Sequence, residues 1–566
     1  MNVADYLVDV LIEKNVTDVF GIPGGVVLEF LYAMRRRNSE IAAHLSFHEQ
    51  CSVFSAFGYA RATKGLGVAY ATKGPGITNM VTGVADAYCD SIPVIIITGH
   101  SDIAPINGMR VAADQEIDTI GMFSGITKYC KRVDNVKDVR YEIERACFEA
   151  MNGRKGPVLL DIHSKVLSKQ IEVSKLRRFE VKKQKKISLS IAKKTIVTEI
   201  LNSKRPLFLI GDGLRGSPAI SQLGQIAEQN NIPILSTRFS QDLLPKSTKH
   251  FGYIGSKGLR YSNFILSKSD LIITLGNRMS FPVNSESWEI VFNKTRILRV
   301  DIDKAELTRK IPGSTSFAID FNQLLSELEG VNMPYDNDDT WLKTCSIIKE
   351  ELLMEDCGYP ITAISEVLKS IPADQTIVSD VGNHEYWLCR AYAYAGCSNS
   401  AIYSKSFGAM ASSIGKAIGV YYGTGKPVTC FVGDQGLQMN IQELQYVASH
   451  QLPITIVLLN NYSSGMIRSR EKQRYGEDFI HTTLESGYSV PDFCSLAEGY
   501  GIKSHTVDQF NFIKICSILS KPPYTRMLEI RVDPSIQMIP DTPQGNPFQK
   551  MSPELDDNKF MLLDKI

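Results

Sequence analysis

The stretch 426–461, KPVTCFVGDQGLQMNIQELQYVASHQLPITIVLLNN, decides the fold. Val428 to Val432 is a short apolar run that stops at Gly433-Asp434-Gln435-Gly436. A helical pattern starts near Leu437, and a second apolar run, Ile454 to Leu459, stops at Asn460-Asn461. Apolar runs of this length, bounded by turn residues and separated by a helix, read as buried strands of a parallel sheet with a crossover between them. The pattern recurs along the chain. Gly67 to Ala71, Pro93 to Thr98 and Pro157 to Ile162 form one group, and Pro206 to Ile210, Ile232 to Leu235, Leu271 to Leu275 and Ile297 to Ile302 a second. Thr376 to Ser379 and Met527 to Val532 complete the third. The expected fold is therefore α/β, three doubly wound parallel-sheet domains at residues 1–165, 190–330 and 358–540, followed by a tail at 541–566. The basic segment Lys165 to Lys186 reads as a solvated linker.

At 566 residues the chain is too long for one core. Hydrophobic residues make up 43% and charged residues 22%, with a formal net charge of +1, so neither a nucleic-acid partner nor a membrane surface is indicated. The cysteines number 11 and include no CxxC pair, which argues against a zinc site or a disulfide framework and fits a reducing compartment. The segment MNVADYLVDVLIEKNV reads as an amphipathic helix, and no apolar run reaches the length of a membrane span. The expected location is the cytoplasm.

Asp434 and Asn461 stand 27 positions apart, each just past the end of an apolar strand. Such a pair can hold a hard divalent ion such as Mg2+, with the backbone carbonyl of Ser463 as a third ligand and substrate phosphates as the rest. The helix near Leu437 would turn its N-terminal amides toward the same phosphates. Either half alone reads equally well as an Asp- or Asn-rich turn.

Here the chain resembles the thiamine-diphosphate enzymes, whose metal motif is GDG followed by NN, and in particular the acetolactate synthases. The resemblance runs through GIPGG at 21–25, FHEQ at 47–50, GYARA at 58–62, TKGPGITN at 72–79, DSIPVIIITG at 90–99, VGNHEYW at 381–387, MNIQEL at 439–444 and LLNN at 458–461. One departure is Gln435 in place of the second glycine of GDG, with Gly436 immediately after. The resemblance makes the three domains pyrimidine-binding, central FAD-binding-like, and diphosphate- and metal-binding. It also implies that Glu49 protonates the pyrimidine ring, so that the cofactor removes its own thiazolium proton. An isolated glutamate in that place would be explained by the helix dipole alone. Gly408 and Met410, in SFGAMASSIGKAIG, would hold the cofactor bent, where Met410 by itself would read as core. His384 would cap the diphosphate, a lone core histidine being the alternative. Gly433, Gln435, Gly436 and Met466 would line the same cofactor. Gln115 matches a substrate-facing glutamine, with Asp114 where the family has phenylalanine. Family architecture places each active site between two subunits, so a homodimer or homotetramer is expected.

The central domain keeps positions that line FAD in acetolactate synthases: Gly213, Gly276, Arg278, Asp301, Ile302 and Asp320, joined by Arg154 of the first domain. Glycines allow close backbone approach and arginine suits phosphate. A ligand-free doubly wound domain could carry the same residues. The flavin would have no redox role, because the implied reaction moves no net electrons.

Three positions break the acetolactate synthase pattern. GNRMSFP replaces GxRFDDR, so Pro282 stands where an arginine grips the acceptor carboxylate. Gly465-Met466-Ile467-Arg468-Ser469-Arg470 replaces GMVxQW, so Arg470 stands where a tryptophan shapes the acceptor pocket. Ser164 in IHSK falls where IPKD is expected. Loss of the clamp and gain of a cation point to a larger, anionic acceptor. The expectation is a carboligase that decarboxylates pyruvate and passes the two-carbon unit to the ketone of a nucleotide-linked deoxyketosugar, as in branched-chain sugars of the yersiniose type. The alternatives are acetolactate synthesis from two 2-keto acids, simple decarboxylation, and a non-catalytic binding relative. Arg470 as a solvated surface side chain is the plain alternative at that position.

Overall fold

Runs such as Val94 to Ile97 and Ile454 to Leu459 are buried along their whole length, which only a sheet covered on both faces provides. The computed structural model describes residues 1–101, 110, 113–181, 189–280, 285–292, 295–335, 339–522 and 524–565. Among the described residues, three six-stranded parallel sheets follow one another along the chain. The first contains β1 (Asp18–Gly21), β2 (Ala42–Leu45), β3 (Gly67–Tyr70), β4 (Val94–His100), β5 (Tyr129–Val133) and β6 (Val158–His163), in the order β2-β1-β3-β4-β6-β5. The middle sheet contains β7 (Pro206–Ile210), β8 (Ile234–Thr237), β9 (His250–Ile254), β10 (Leu271–Leu275), β11 (Arg296–Asp301) and β12 (Ser314–Ala318), in the order β12-β11-β10-β7-β8-β9. The third contains β13 (Thr376–Ser379), β14 (Ala401–Tyr403), β15 (Val428–Gly433), β16 (Ile454–Asn460), β17 (Lys503–Val507) and β18 (Arg526–Arg531), in the order β14-β13-β15-β16-β18-β17. The first and third sheets thus share one strand order, and the middle one has the 3-2-1-4-5-6 order of dinucleotide-binding folds.

The chain divides into two compact units. One comprises residues 1–183, 374–385 and 401–535 and holds the first and third sheets; the other comprises 184–373, 386–400 and 536–566 and holds the middle sheet. Within the first unit, one core includes Phe57, Ala60 and Val84 of the first sheet's layer together with Ile402, Ile414 and Ala417 of the third. The helices Glu49–Thr63 and Ser413–Thr424 pack so closely that a methyl group at Gly58 would strike the Lys416 carbonyl, and one at Gly419 the Ser55 carbonyl. Part of the segment read as linker is docked: Val3 N donates to Lys169 O, Phe179 N donates to Glu144, and Arg177 stacks on Tyr141. Among the described residues, no helix is long and apolar enough to cross a membrane.

Candidate functional site

In the third sheet β13 and β15 are neighbours whose connections leave in opposite directions, and ligands of open α/β sheets bind at the strand ends beside such a reversal. Three strands, β13, β15 and β16, lie side by side there, with Ser379 opposite Phe431 and Gly433 opposite Leu459. Their carboxyl ends carry Asp380 to His384, Gly433 to Gly436, and Asn461 to Gly465.

Asp434 opens a short helix, Asp434–Met439, and is buried. Its Oδ1 accepts from the Gln435 amide at 2.8 Å and from the Tyr488 hydroxyl at 2.9 Å, whereas Oδ2 is buried without a hydrogen-bond partner. Burial raises its pKa, and the amides of Tyr462 and Ser463 are close enough to oppose that rise. Gly465 is packed so tightly that a methyl group on it would come within 2.6 Å of Asn383 Nδ2 and 2.7 Å of Asn461 Nδ2. The structure therefore brings Asp434, Asn461 and Ser463 to one place. The Ser463 carbonyl also accepts from Gly465 N at 2.8 Å.

His384 is buried, its Nε2 has no partner, and burial pushes its pKa down to about 4, so the ring is neutral. Gly433 and Gly382 leave room for it: a methyl on either would stand 3.2 or 2.8 Å from His384 Nδ1. Asp380 accepts from the Val381 amide through Oδ1, while Oδ2 is buried and unpartnered, and burial pushes its pKa up to about 6. A methyl at Gly436 would come within 2.8 Å of that Oδ2. Gln435, by contrast, is exposed. The tight glycine of the motif is thus Gly436, and Gln435 occupies a position that tolerates a side chain. Met410 and Met466 are half-buried, and Gly408 has φ +71°, a backbone geometry suited to glycine.

Unmatched buried polar atoms are costly. Here Asp434 Oδ2 and His384 Nε2 are left at the ends of the neighbouring strands β15 and β13, the first suited to a cation and the second to an anion's oxygen. Among the described residues no cluster of three His, Cys, Asp or Glu side chains could hold a metal. The set available is one carboxylate, one amide and one carbonyl, which suits a hard ion that takes its remaining oxygens from a phosphate.

At the first sheet, Glu49 begins the helix Glu49–Thr63, and its Oε2 accepts from Asn79 Nδ2 at 2.8 Å. The turn before it is held from the third domain: Glu443 Oε1 accepts the amides of Phe47 and His48, both at 3.0 Å, and Asn440 Nδ2 donates to Gln50 Oε1 and to the Ala411 carbonyl. Burial pushes the Glu443 pKa up to about 7. Asn79, Asn440, Glu443, Asp380 and Tyr488 are neighbours of the candidate residues that sequence reasoning did not single out. Gln115 is exposed with φ +55°, its backbone against Gly74, and Asp114 is exposed beside it. Glu116, next along the chain, is buried and accepts from Ser101 N and Lys73 Nζ.

The flavin candidates behave differently. Gly213 N donates to Gly276 O at 3.0 Å, and a methyl on Gly213 would meet that carbonyl at 2.7 Å. Asp301 Oδ1 accepts from Asp303 N, and Asp320 Oδ1 accepts from Asn322 N, each closing its own turn. Arg278 is half-buried and Ile302 is exposed. Arg154 Nε donates to Ser91 Oγ, both of them in the compact unit that holds the first and third sheets. Of the acceptor positions, Arg470 is exposed on the helix Gly465–Tyr475, and Pro282 lies outside the described residues. Ser164 begins the short helix Ser164–Leu167.

The residues that the resemblance to the thiamine-diphosphate enzymes singles out thus stand at the strand ends of the third sheet and at the start of a helix of the first domain. Residues 1–122 match the N-terminal thiamine pyrophosphate binding domain, 194–328 the central domain and 380–515 the C-terminal thiamine pyrophosphate binding domain of that family. The chain belongs to the thiamine pyrophosphate enzyme family. It is similar over nearly all its length to the acetolactate synthase large subunit of Lactococcus lactis subsp. lactis, at 31% identity over 94% of this chain and 93% of that protein. It is also similar to the acetolactate synthase isozyme 2 large subunit of Escherichia coli, at 29% identity over 98% and 100%. The chloroplastic acetolactate synthase 2 of Nicotiana tabacum is 30% identical over 98% of this chain and 85% of its own length.

Proposed function

We propose that the enzyme decarboxylates pyruvate and joins the resulting two-carbon unit to a second carbonyl compound. The observation that carries this reading is the convergence of Asp434 Oδ2, His384 Nε2 and Asp380 Oδ2, all buried and unpartnered, at the ends of β13 and β15. Asp434, Asn461 and the Ser463 carbonyl would hold Mg2+ against the diphosphate, with Gly433, Gln435, Gly436 and His384 around it. When bound, thiamine diphosphate would supply the nucleophilic carbon and the electron sink that decarboxylation of a 2-keto acid needs. Glu49, whose Oε2 accepts from Asn79 Nδ2, would be the group that passes a proton to the pyrimidine ring. Gly408 and Met410 would support the cofactor, and Gln115 would face the substrate. The resemblance to the thiamine-diphosphate family, whose sites lie between two subunits, is what supports a homodimer or homotetramer as the working form.

A second 2-keto acid is the better-supported acceptor, since full-length similarity runs to acetolactate synthases. A nucleotide-linked ketosugar is the second reading, and the exposed cation of Arg470 favours it. FAD in the middle domain rests on the 3-2-1-4-5-6 strand order and on the resemblance; protein purified in the dark would carry flavin absorbance, released on denaturation. The acceptor is tested by incubating the protein with pyruvate, thiamine diphosphate and Mg2+, with and without a nucleotide-linked ketosugar. Acetolactate as the dominant product in both supports the first reading. A sugar adduct displacing it supports the second, and loss of that adduct in Arg470→Ala would assign the cation.

A further inference from the structure

The helix Val81–Cys89 of the first domain and the helix Ser413–Thr424 of the third are joined by a fully buried ion pair. Lys416 Nζ lies 2.8 Å from Asp86 Oδ2, and both side chains are 0% exposed. The Lys416 ammonium also sits 4.1 Å from the centre of the Phe57 ring. The other oxygen of the same carboxylate, Asp86 Oδ1, accepts from Ser404 Oγ at 2.9 Å. Four residues on, Asp90 accepts the amides of Ser406 at 2.9 Å and Lys405 at 3.0 Å. Residues 404–406 are therefore hung from two carboxylates of one segment, and Lys416 fixes one of these from the far end of the loop. Between the two anchors lie Gly408 and Met410, and Ala411 takes up φ +64°, an unusual geometry for a non-glycine residue. Burying two charges is costly, and the helix Ser413–Thr424 is already held against the first domain without them, by its packing on the helix Glu49–Thr63 at Gly58 and Gly419.

We infer that Lys416, Asp86 and Asp90 are positioning residues that clamp the loop 404–411 at both ends, setting the height of Gly408 and Met410 for the cofactor. This rests on the reading of Gly408 and Met410 as cofactor-facing. All three side chains are buried, so the clamp acts on cofactor affinity more than on the chemical step.

The test uses full-length Lys416→Met, Ser404→Ala and Met410→Ala. For each, the Kd for thiamine diphosphate at saturating Mg2+ is measured by fluorescence titration, kcat at saturating cofactor by carbon dioxide release, and Tm on the cofactor-free protein. Lys416→Met should weaken thiamine diphosphate about tenfold or more, the effect of losing a charge-assisted contact. Ser404→Ala, which strands no buried charge, should weaken it severalfold at nearly unchanged Tm, and decides the matter if Lys416→Met does not fold. Lower Tm with wild-type affinity in both would reduce the pair to a helix fastener and overturn the inference. If Met410→Ala alone alters affinity, the loop reading stands and the clamp falls; if no variant alters it, both fall.

Discussion

The third sheet and the middle sheet are built on the same device, a reversal of strand order with loops at the carboxyl ends, yet they leave those ends in different states. In the third, the candidate side chains Asp434, His384 and Asp380 are buried with polar atoms unmatched, and the glycines leave space beside them. In the middle, the candidate residues satisfy one another: Gly213 and Gly276 close the gap backbone to backbone, and Asp301 and Asp320 cap their own turns. A glycine and an aspartate in a strand-end loop thus carry different information in the two places. What distinguishes them is unmet hydrogen-bonding demand, which is a property of three-dimensional burial.

The largest effect should come from the acid of the first domain, which has no counterpart in the middle sheet. Glu49→Gln should lower carbon dioxide release by on the order of a hundredfold to ten-thousandfold while thiamine diphosphate still binds. Near wild-type turnover would remove Glu49 from the mechanism.

A pair of glycine variants addresses the comparison itself. Gly213→Ala pushes a methyl against the Gly276 carbonyl, and overpacking of this kind costs about 1–3 kcal/mol of stability, read as a lower Tm. Its affinity for thiamine diphosphate should be unchanged. Gly436→Ala meets side-chain atoms of Asp380 and Val432 rather than backbone, so it should lower Tm less and weaken thiamine diphosphate by about tenfold, the cost of roughly one lost charged hydrogen bond. The reverse pattern would break the contrast.

The smallest effect concerns pH. Burial raises the Glu443 carboxyl to about 7, above its ordinary unfolded value of about 4.3, so the folded state holds the proton more tightly. Its contribution is fully present at low pH and is lost as pH rises through about 7. Gln cannot ionise, so Tm of Glu443→Gln relative to wild type should rise between about pH 4.3 and about pH 7 and level off above that, measured by calorimetry. A constant difference would contradict the assignment.

How much of this was legible in the sequence depends on where a residue sits. Central strands such as β4, β10 and β16 are fully buried and announce themselves as continuous apolar runs. Edge strands do not: β2, β12 and β17 alternate or expose their residues, and β14 has only three, so the sequence pattern passes over them. Asp434 and Asn461 were readable from their places at strand ends, and Glu49 only through the family resemblance. Glu443 and Asn440 were not readable in their roles, because a carboxylate on a helix that holds the amides of Phe47 and His48 has no local signature across nearly four hundred residues. Gln435 looks like damage to the metal motif in the sequence alone; its exposure and the tight packing of Gly436 separate the two positions.

The central claim is that the ends of β13, β15 and β16 hold a diphosphate through a cation fixed by Asp434. Titration calorimetry of thiamine diphosphate into wild type and Asp434→Asn, each with Mg2+ and with a chelator, tests it directly. The account predicts tight binding only for wild type with Mg2+, and in the variant weak binding that added Mg2+ barely improves. Equal affinity in all four titrations would contradict it.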